Sequence, residues 1–283
     1  MIFKPTYGKL GHVWQGFEII AGLKRINYGY GGALFRVRRG SDNAEKDFFS
    51  TEGVAAWVGA GNDGFVTKLY DQSGKGNDWT NDTTAEQPKI VEDGSLTTKD
   101  SKPAMKFSGG QALFCPKFTY TNDKLYVSVV SSVNQTNQTN AIVAHFDSGA
   151  DQRSWLLQYR NDGRIRGFAS GNGVSLHNVA YNSYTTSMNV IEGLFEMNLA
   201  QSNDRIKLFY NNVSNFNTLF AGFQFTPLFA GDCCLSLGSS LNNGAVDAPL
   251  NGTISEVMIK IDDNKAGNRA AIFNDINNRW GIV

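Results

Sequence analysis

The chain has 283 residues, of which 41% are apolar and 12% aromatic, a composition that supports a packed core and excludes a wholly disordered chain. Its 26 lysines and arginines are balanced by 26 aspartates and glutamates, so no overall charge favours nucleic acid or a membrane surface. We therefore expect no nucleic-acid partner and no membrane insertion.

Residues 1–27 combine glycine and lysine with large apolar side chains and show no regular period. We interpret this segment as an arm outside the main domain, which would span residues 28–283. Apolar anchors surrounded by lysines suit an acidic groove, so the arm is predicted to dock on a neighbouring subunit. The alternative is an edge strand of the same chain. Met1–Pro5 lacks the apolar run of a secretory signal, so no signal peptide is expected.

Two blocks follow the arm. Leu34–Asn43 alternates like a strand and then turns, and Phe65–Tyr70 has the β-branched and aromatic content of a second strand. Between them, Ser50–Val58 predicts a short helix that is capped by Ser or Thr and ended by Gly59. The second strand runs into Tyr70–Asp78 (YDQSGKGND), which predicts a tight structural turn built from Asp71, Ser73, Gly74, Gly76, Asn77 and Asp78.

The rest of the chain reads as short strands separated by turns, which is typical of an antiparallel sandwich. Asn161–Gly163 predicts a hairpin turn, since Asp-Gly tolerates the positive φ angles that a tight hairpin needs. One helix is predicted at the end, capped by Asp263 or Asn264, with Ile272, Phe273, Ile276 and Trp280 on one face. The predicted strands are Lys89–Val91, Ala104–Phe107, Ala112–Phe114, Leu125–Val133, Ala141–Phe146, Trp155–Tyr159, Arg164–Phe168, Val190–Met197, Arg205–Tyr210, Leu235–Leu237 and Ile254–Ile261.

The blocks Leu34–Asn43 and Tyr70–Asp78 together resemble the start of the catalytic domain of the fungal α-L-arabinofuranosidase B family. They are also similar to a module of bacteriophage and prophage virion proteins, where it precedes a laminin-G or concanavalin-like sandwich. Both resemblances imply the same all-β fold, a concanavalin-like antiparallel β-sandwich (jelly roll). They imply different functions, a glycoside hydrolase in one case and a particle subunit in the other.

Hydrolysis by a retaining glycosidase needs two carboxyl groups roughly 5 Å apart. The arabinofuranosidase resemblance implies a glutamate in a loop that matches Ala169–Gly173 and an aspartate in a loop that matches Gly238–Gly244. The matching residues are Gly171 and Ser240, and neither is a carboxylate, so we expect no catalytic residue. Glu192 and Asp247 are the fallback acids for an enzyme.

Carbohydrate binding needs less than catalysis, because sugar rings stack on exposed aromatic side chains and polar groups take their hydroxyls. The candidates that fall in or near predicted loops are Trp79, Trp155, Tyr181 and Tyr184. The three histidines are scattered, which indicates no metal site, and no cofactor is expected. The cysteines, Cys115, Cys233 and Cys234, are expected to be buried free thiols; a bridge between the adjacent pair is the alternative.

From the virion resemblance and the missing carboxylates we expect a non-enzymatic bacteriophage structural protein located in the virion: a fibre, decoration or adhesion subunit with a lectin-like sandwich. Its expected partners are other virion subunits and a cell-surface glycan. The resemblance implies a homo-oligomer, with a trimer as one form. The alternatives are an arabinofuranosidase-like hydrolase and a soluble carbohydrate-binding module.

Overall fold

The structure is a computed structural model that describes residues 14–117, 124–134, 136–196, 206–215, 228–261 and 266–283. Helix α1 spans Val54–Val58 and helix α2 spans Ala266–Trp280. The strands are β1 (Phe17–Gly22), β2 (Phe35–Arg39), β3 (Glu45–Phe48), β4 (Gly64–Leu69), β5 (Trp79–Thr80), β6 (Lys89–Glu92), β7 (Ser95–Leu96), β8 (Thr98–Lys99), β9 (Lys102–Pro103), β10 (Met105–Ser108), β11 (Leu113–Cys115), β12 (Lys124–Val133), β13 (Asn140–Asp147), β14 (Gln152–Tyr159), β15 (Ile165–Gly173), β16 (His177–Tyr181), β17 (Asn189–Glu196), β18 (Ile206–Tyr210), β19 (Val213–Asn215), β20 (Leu235–Leu237), β21 (Ser240–Asn242), β22 (Ala245–Asp247) and β23 (Asn251–Ile261).

The strands form two layers whose neighbours pair antiparallel at almost every ladder. In the first layer, the order from one edge is β19, β18, β17, β12 and β23, and β1 and β10 then share the far side of β23. In the second layer, the order is β16, β15, β14, β13, β20 and β11. The layers are linked through β5, which pairs with β11 of the second layer and with β4. Strand β4 pairs with β6, and β6 pairs with β10 of the first layer. This architecture confirms the predicted antiparallel β-sandwich.

The core lies between the two layers. Trp155 of the second layer contacts Phe195 of the first, with ring centroids 6.1 Å apart. Glycine permits the layers to approach closely at Gly167, where an added Cβ would lie 2.9 Å from Leu208 Cδ2. Because successive strand residues point to opposite faces, each layer also has an outer face.

Helix α2 covers the outer face of the first layer. The four predicted apolar residues of this helix are all buried, which confirms the predicted face: Ile272, Phe273, Ile276 and Trp280. The predicted caps at positions 263 and 264 lie outside the described residues. No helix of the described part is long and apolar enough to cross a membrane.

Among the first sixty residues, the arm boundary is wrong and the short helix is predicted only in part. The arm boundary at residue 27 is incorrect because β1 pairs with β23 and buries Ile19 and Ile20 completely. The described part of the arm is therefore a strand of the sandwich, and residues 1–13 lie outside the description. The helix predicted within Ser50–Val58 is present and ends at Gly59 as predicted. Its start is wrong, because it begins at Val54 and Gly53, at φ 74°, precedes it with no capping side chain.

Candidate functional site

The YDQSGKGND turn fastens β1 to the body of the sandwich, and we name residues 70–78 the clasp loop. The buried carboxylate of Asp71 accepts hydrogen bonds from Ile20 N (3.0 Å), Ser73 N (2.8 Å) and Asn77 N (3.1 Å). Within the loop, Gly74 and Gly76 adopt positive φ angles of 87° and 80°. A carboxylate that accepts several backbone N–H groups stabilises a turn and is poorly suited to chemistry.

The remaining polar residues of the clasp loop act in the same way. Gln72 is completely buried; its Oε1 accepts a hydrogen bond from Ile26 N, and its Nε2 donates one to Lys24 O. Asp78 accepts a hydrogen bond from Asp71 N at 2.8 Å. The loop therefore has a structural role, because its polar groups are directed to the β1 segment and to the loop itself.

The upstream block is joined to the clasp loop through one carboxylate. Asp47 receives two hydrogen bonds from Arg36, at 2.7 and 3.0 Å, and a third from Tyr70 Oη at 2.9 Å. These contacts hold the Arg36 pKa above its ordinary value and the Asp47 pKa below its own. The two sequence blocks thus form one structural unit at the junction of the layers.

The two positions that match the arabinofuranosidase acids lie on different strands of the second layer. Gly171 is on β15 and Ser240 on β21, with β14 and β13 between them. Three steps at the usual strand spacing amount to about 14 Å. The loop at Ser240 is held by Asp147, which accepts hydrogen bonds from Asn243 N and Gly244 N, both at 2.7 Å. Asp147, which the sequence interpretation missed, is thereby saturated with backbone donors.

Glu192 lies in the first layer, whereas these two loops lie in the second. Its side chain is completely buried, with Arg269 Nη1 at 2.8 Å and Tyr126 Oη at 2.7 Å. Burial raises the Glu192 pKa, and Arg269 acts in the opposite direction. This carboxylate joins helix α2 to the outer face of the first layer, where it has no access to a substrate.

Asp247 is the second fallback acid, and unlike Glu192 it lies close to a position that matches an expected acid. It stands opposite Ser240 in the β21–β22 hairpin and is half-buried. Side chains opposite each other across an antiparallel pair lie about 4.5–5.5 Å apart at Cβ. One carboxylate is therefore near the position that matches an expected acid.

The structure corrects two of the four predicted sugar-binding residues. Trp79 and Trp155 are both completely buried, so neither ring can offer a face to a sugar. Both belong to the core between the layers. Indole rings are large enough to dominate a core, and the sequence pattern did not distinguish that role from a loop position.

The other two candidates lie together in a tyrosine cluster, and we name Tyr181, Tyr184 and Tyr210 the tyrosine rim. All three are half-buried. Tyr181 contacts Tyr210 with ring centroids 5.2 Å apart, while Tyr184 packs on buried Tyr159 at 4.9 Å. The rim joins strand β16 of the second layer to strand β18 of the first.

Hydrogen bonds fix the rim and supply polar groups beside it. Tyr210 Oη donates to Asn189 Oδ1 at 2.7 Å and accepts from Thr185 N at 2.9 Å. Tyr184 Oη donates to Arg160 O at 2.9 Å. Burial and the negative charge of Asp162 raise the pKa of Tyr184, so this phenol remains protonated. The sequence interpretation missed Tyr210. Its position beside the Asn211–Asn212 turn could have identified it, since the other candidates were chosen for lying near predicted loops.

The cysteines are free thiols, and Cys115 is buried while Cys233 and Cys234 are half-buried. Desolvation raises the pKa of Cys115 and of Cys233 to about 12. Thiols of this kind are poor nucleophiles. Across the described ranges, no three His, Cys, Asp or Glu side chains are grouped so as to hold a metal ion.

Comparisons with known proteins show a shared fold. No protein-family model and no curated protein matches the chain. A GH54 α-L-arabinofuranosidase soaked with a cyclic sulfate inhibitor aligns over 91% of this chain at 14% identity with a TM-score of 0.63. An arabinofuranosidase complexed with arabinofuranosyl-α-1,2-xylobiose gives 14% identity, 91% coverage and a TM-score of 0.62.

The chain spans only about three fifths of these structures, 62% of the first and 61% of the second. A sialidase CBM40 from Ruminococcus gnavus bound to α2,3 sialyllactose aligns over 61% of this chain and 96% of its own, at 14% identity and a TM-score of 0.46. At this identity, the likeness to the arabinofuranosidases establishes that the chain has the β-sandwich fold seen in those enzymes.

Proposed function

We propose that this protein is a non-catalytic, carbohydrate-binding β-sandwich that serves as a structural subunit of a bacteriophage particle. One observation carries the proposal. The chain has the sandwich fold of arabinofuranosidases. The sequence resemblance nevertheless assigns Gly171 and Ser240 to the positions of the two required carboxylates. A sandwich of this kind without its acid pair retains surfaces for a sugar and lacks the means to cleave it.

The tyrosine rim is the proposed binding surface. The half-buried rings are held rigid by their neighbours and remain partly exposed. A rigid, partly exposed ring is suited to stacking on a sugar ring. The hydroxyl of the exposed residue Thr185 is suited to sugar hydroxyls. Asn189 is buried and acts indirectly, since its amide holds the Tyr210 hydroxyl in place. No ionisable group is needed for binding of this type.

Glycan-array binding of the purified chain tests this site. Tyr181→Ala should lower binding by roughly tenfold if a ring face is lost, while Tyr181→Phe should retain it. Tyr28→Ala is the matched control, since Tyr28 is a tyrosine on another part of the surface, 56% exposed. A folded chain that binds no glycan, or a Tyr181→Ala variant that binds normally, would contradict the proposal.

The particle role rests on the similarity of Leu34–Asn43 and Tyr70–Asp78 to the virion module. A fibre, decoration or adhesion subunit acts as one of many copies, so we propose that the chain forms a homo-oligomer, of which a trimer is one form. Its mass in solution tests the assembly, and mass spectrometry of purified phage particles tests its presence there. A strict monomer that is absent from particles would leave only a soluble carbohydrate-binding module.

Arabinofuranosidase-like hydrolysis is the second candidate, and Asp247 is the observation in its favour. It lies across the β21–β22 hairpin from Ser240, so it can approach the place of the expected acid. If the chain is an enzyme, it should release nitrophenol from 4-nitrophenyl α-L-arabinofuranoside, and Asp247→Asn should abolish the release. We expect no release from the unchanged chain.

A further inference from the structure

The hairpin between β14 and β15 carries three arginines on the outer face of the second layer. Leu156 and Phe168 define that face, because they belong to a small apolar cluster separate from the main core. Arg166 lies opposite Gln158 and two residues before Phe168, which places it on the same face. The same alternation of strand side chains places Arg160 and Arg164 on this face. Arg160 N donates a hydrogen bond to Arg164 O at 2.8 Å.

This arginine face is poorly neutralised. Arg166 Nη2 pairs with Asp162 at 2.7 Å, and Asp162 is the acid of the hairpin itself. Among the residues that the structure describes, neither Arg160 nor Arg164 has an acidic partner. Arg164 is exposed and Arg160 is half-buried. The hairpin therefore has a local excess of two positive charges in a chain whose formal net charge is zero.

Arg160 also connects this face to the tyrosine rim. Its carbonyl oxygen accepts the hydrogen bond from Tyr184 Oη, so the backbone of Arg160 lies beside the rim. The Arg160 side chain extends to the outer face at the same edge of the layer. The Nε atom of Arg160 is buried and has no hydrogen-bond partner among the described residues. A partly desolvated guanidinium without an acid is a favourable site for a carboxylate, because the planar fork matches two carboxylate oxygens.

We propose that the corner formed by the tyrosine rim, Arg160 and Arg164 binds an acidic glycan whose sugars carry carboxylate groups. The inference rests on the proposed carbohydrate-binding function and names the class of sugar. The ring stacks on the rim, and its carboxylate accepts hydrogen bonds from Arg160 or Arg164. A nucleic-acid ligand is disfavoured, since tight phosphate-backbone binding needs many more cationic contacts than two.

Titration calorimetry with oligogalacturonate and with its methyl ester tests the proposal. The two probes have the same sugar rings and differ in the carboxylate charge. We expect the acid to bind at least tenfold more tightly than the ester, since ionised hydrogen bonds are stronger than neutral ones. Added salt should weaken binding of the acid, because salt screens partly exposed charges.

Arg160→Gln and Arg164→Gln should each reduce oligogalacturonate binding by about tenfold and leave ester binding unchanged. Lys46→Gln is the matched control, as it removes one exposed positive charge from strand β3. Thermal melts establish that each variant is folded. Equal binding of acid and ester, normal binding by both arginine variants, or binding restricted to sulfated glycans would overturn the acidic-sugar inference alone. Failure to bind every glycan would overturn the proposed function as well.

Discussion

Arg279 Nη2 lies 2.7 Å from Glu256 Oε1, and the two side chains are only 8% and 1% exposed. The same carboxylate accepts a hydrogen bond from Trp280 Nε1 at 2.8 Å. Glu256 is on β23 and both donors are on helix α2, so this contact joins the carboxyl-terminal helix to a strand of the first layer. Glu192 and Arg269 repeat the arrangement at the other end of the helix.

Glu256→Gln should therefore destabilise the protein by about 2 kcal/mol, because the buried donors of Arg279 and Trp280 lose a charged acceptor. Arg279 keeps a second acidic partner, Asp275, which limits the loss. Urea unfolding at neutral pH measures the free energy. The control is Glu45→Gln, which removes the longer 3.7 Å pair with Arg36 at a side chain that is 42% exposed. We expect the control to unfold like the parent chain, and equal losses in both variants would refute a special role for the buried pair.

Asp71→Ala should loosen β1 and lower stability by about 3 kcal/mol, since several buried backbone donors lose their acceptor. Hydrogen exchange followed by mass spectrometry should show faster exchange in residues 17–27, with Ile20 N among the affected amides. Ser41→Ala, at an exposed position in the neighbouring turn, is the control. Unchanged exchange in this segment would mean that the clasp loop does not hold the strand.

His145 should make the protein sensitive to acid. It is completely buried, and desolvation lowers its pKa to about 4 from an ordinary 6.5. The unfolded chain then takes up a proton between pH 6.5 and 4 while the folded chain does not, so stability falls as the pH falls through this window. The expected loss is about 2–3 kcal/mol by pH 4.5.

Urea unfolding at pH 7 and pH 4.5 measures this effect. His145→Gln should reduce the difference between the two values, whereas His177→Gln, at a half-buried site, serves as the comparison. If the parent chain and the His145→Gln variant lose the same stability on acidification, other groups are responsible.

The three thiols should resist alkylation in the folded protein. Burial raises the pKa of Cys115 and of Cys233 to about 12, and that of Cys234 is also raised. Iodoacetamide at pH 8 should therefore modify the native chain slowly and label all three cysteines after unfolding. Mass spectrometry counts the labels, and a denatured chain that accepts only one label would indicate a disulfide between two of the cysteines.

Local chemistry was sufficient to predict much of this fold. Asp162–Gly163 marks a hairpin turn, and Gly163 adopts a φ of 79° there. The spacing of Ile272, Phe273, Ile276 and Trp280 predicts a buried helix face, because that periodicity belongs to the helix itself. Strand alternation and turn residues are likewise properties of a few neighbouring positions.

Tertiary structure decided what local chemistry left open. Phe17–Gly22 lacks a clean strand pattern, since nearly every position is buried, and its pairing with β23 depends on a strand more than 200 residues away. The same limit applies to Trp79 and Trp155, which the fold buries, and to Tyr210, which the fold brings to Tyr181. Composition and spacing report what a residue can do, whereas burial and neighbours come from the packing of strands that are distant in sequence.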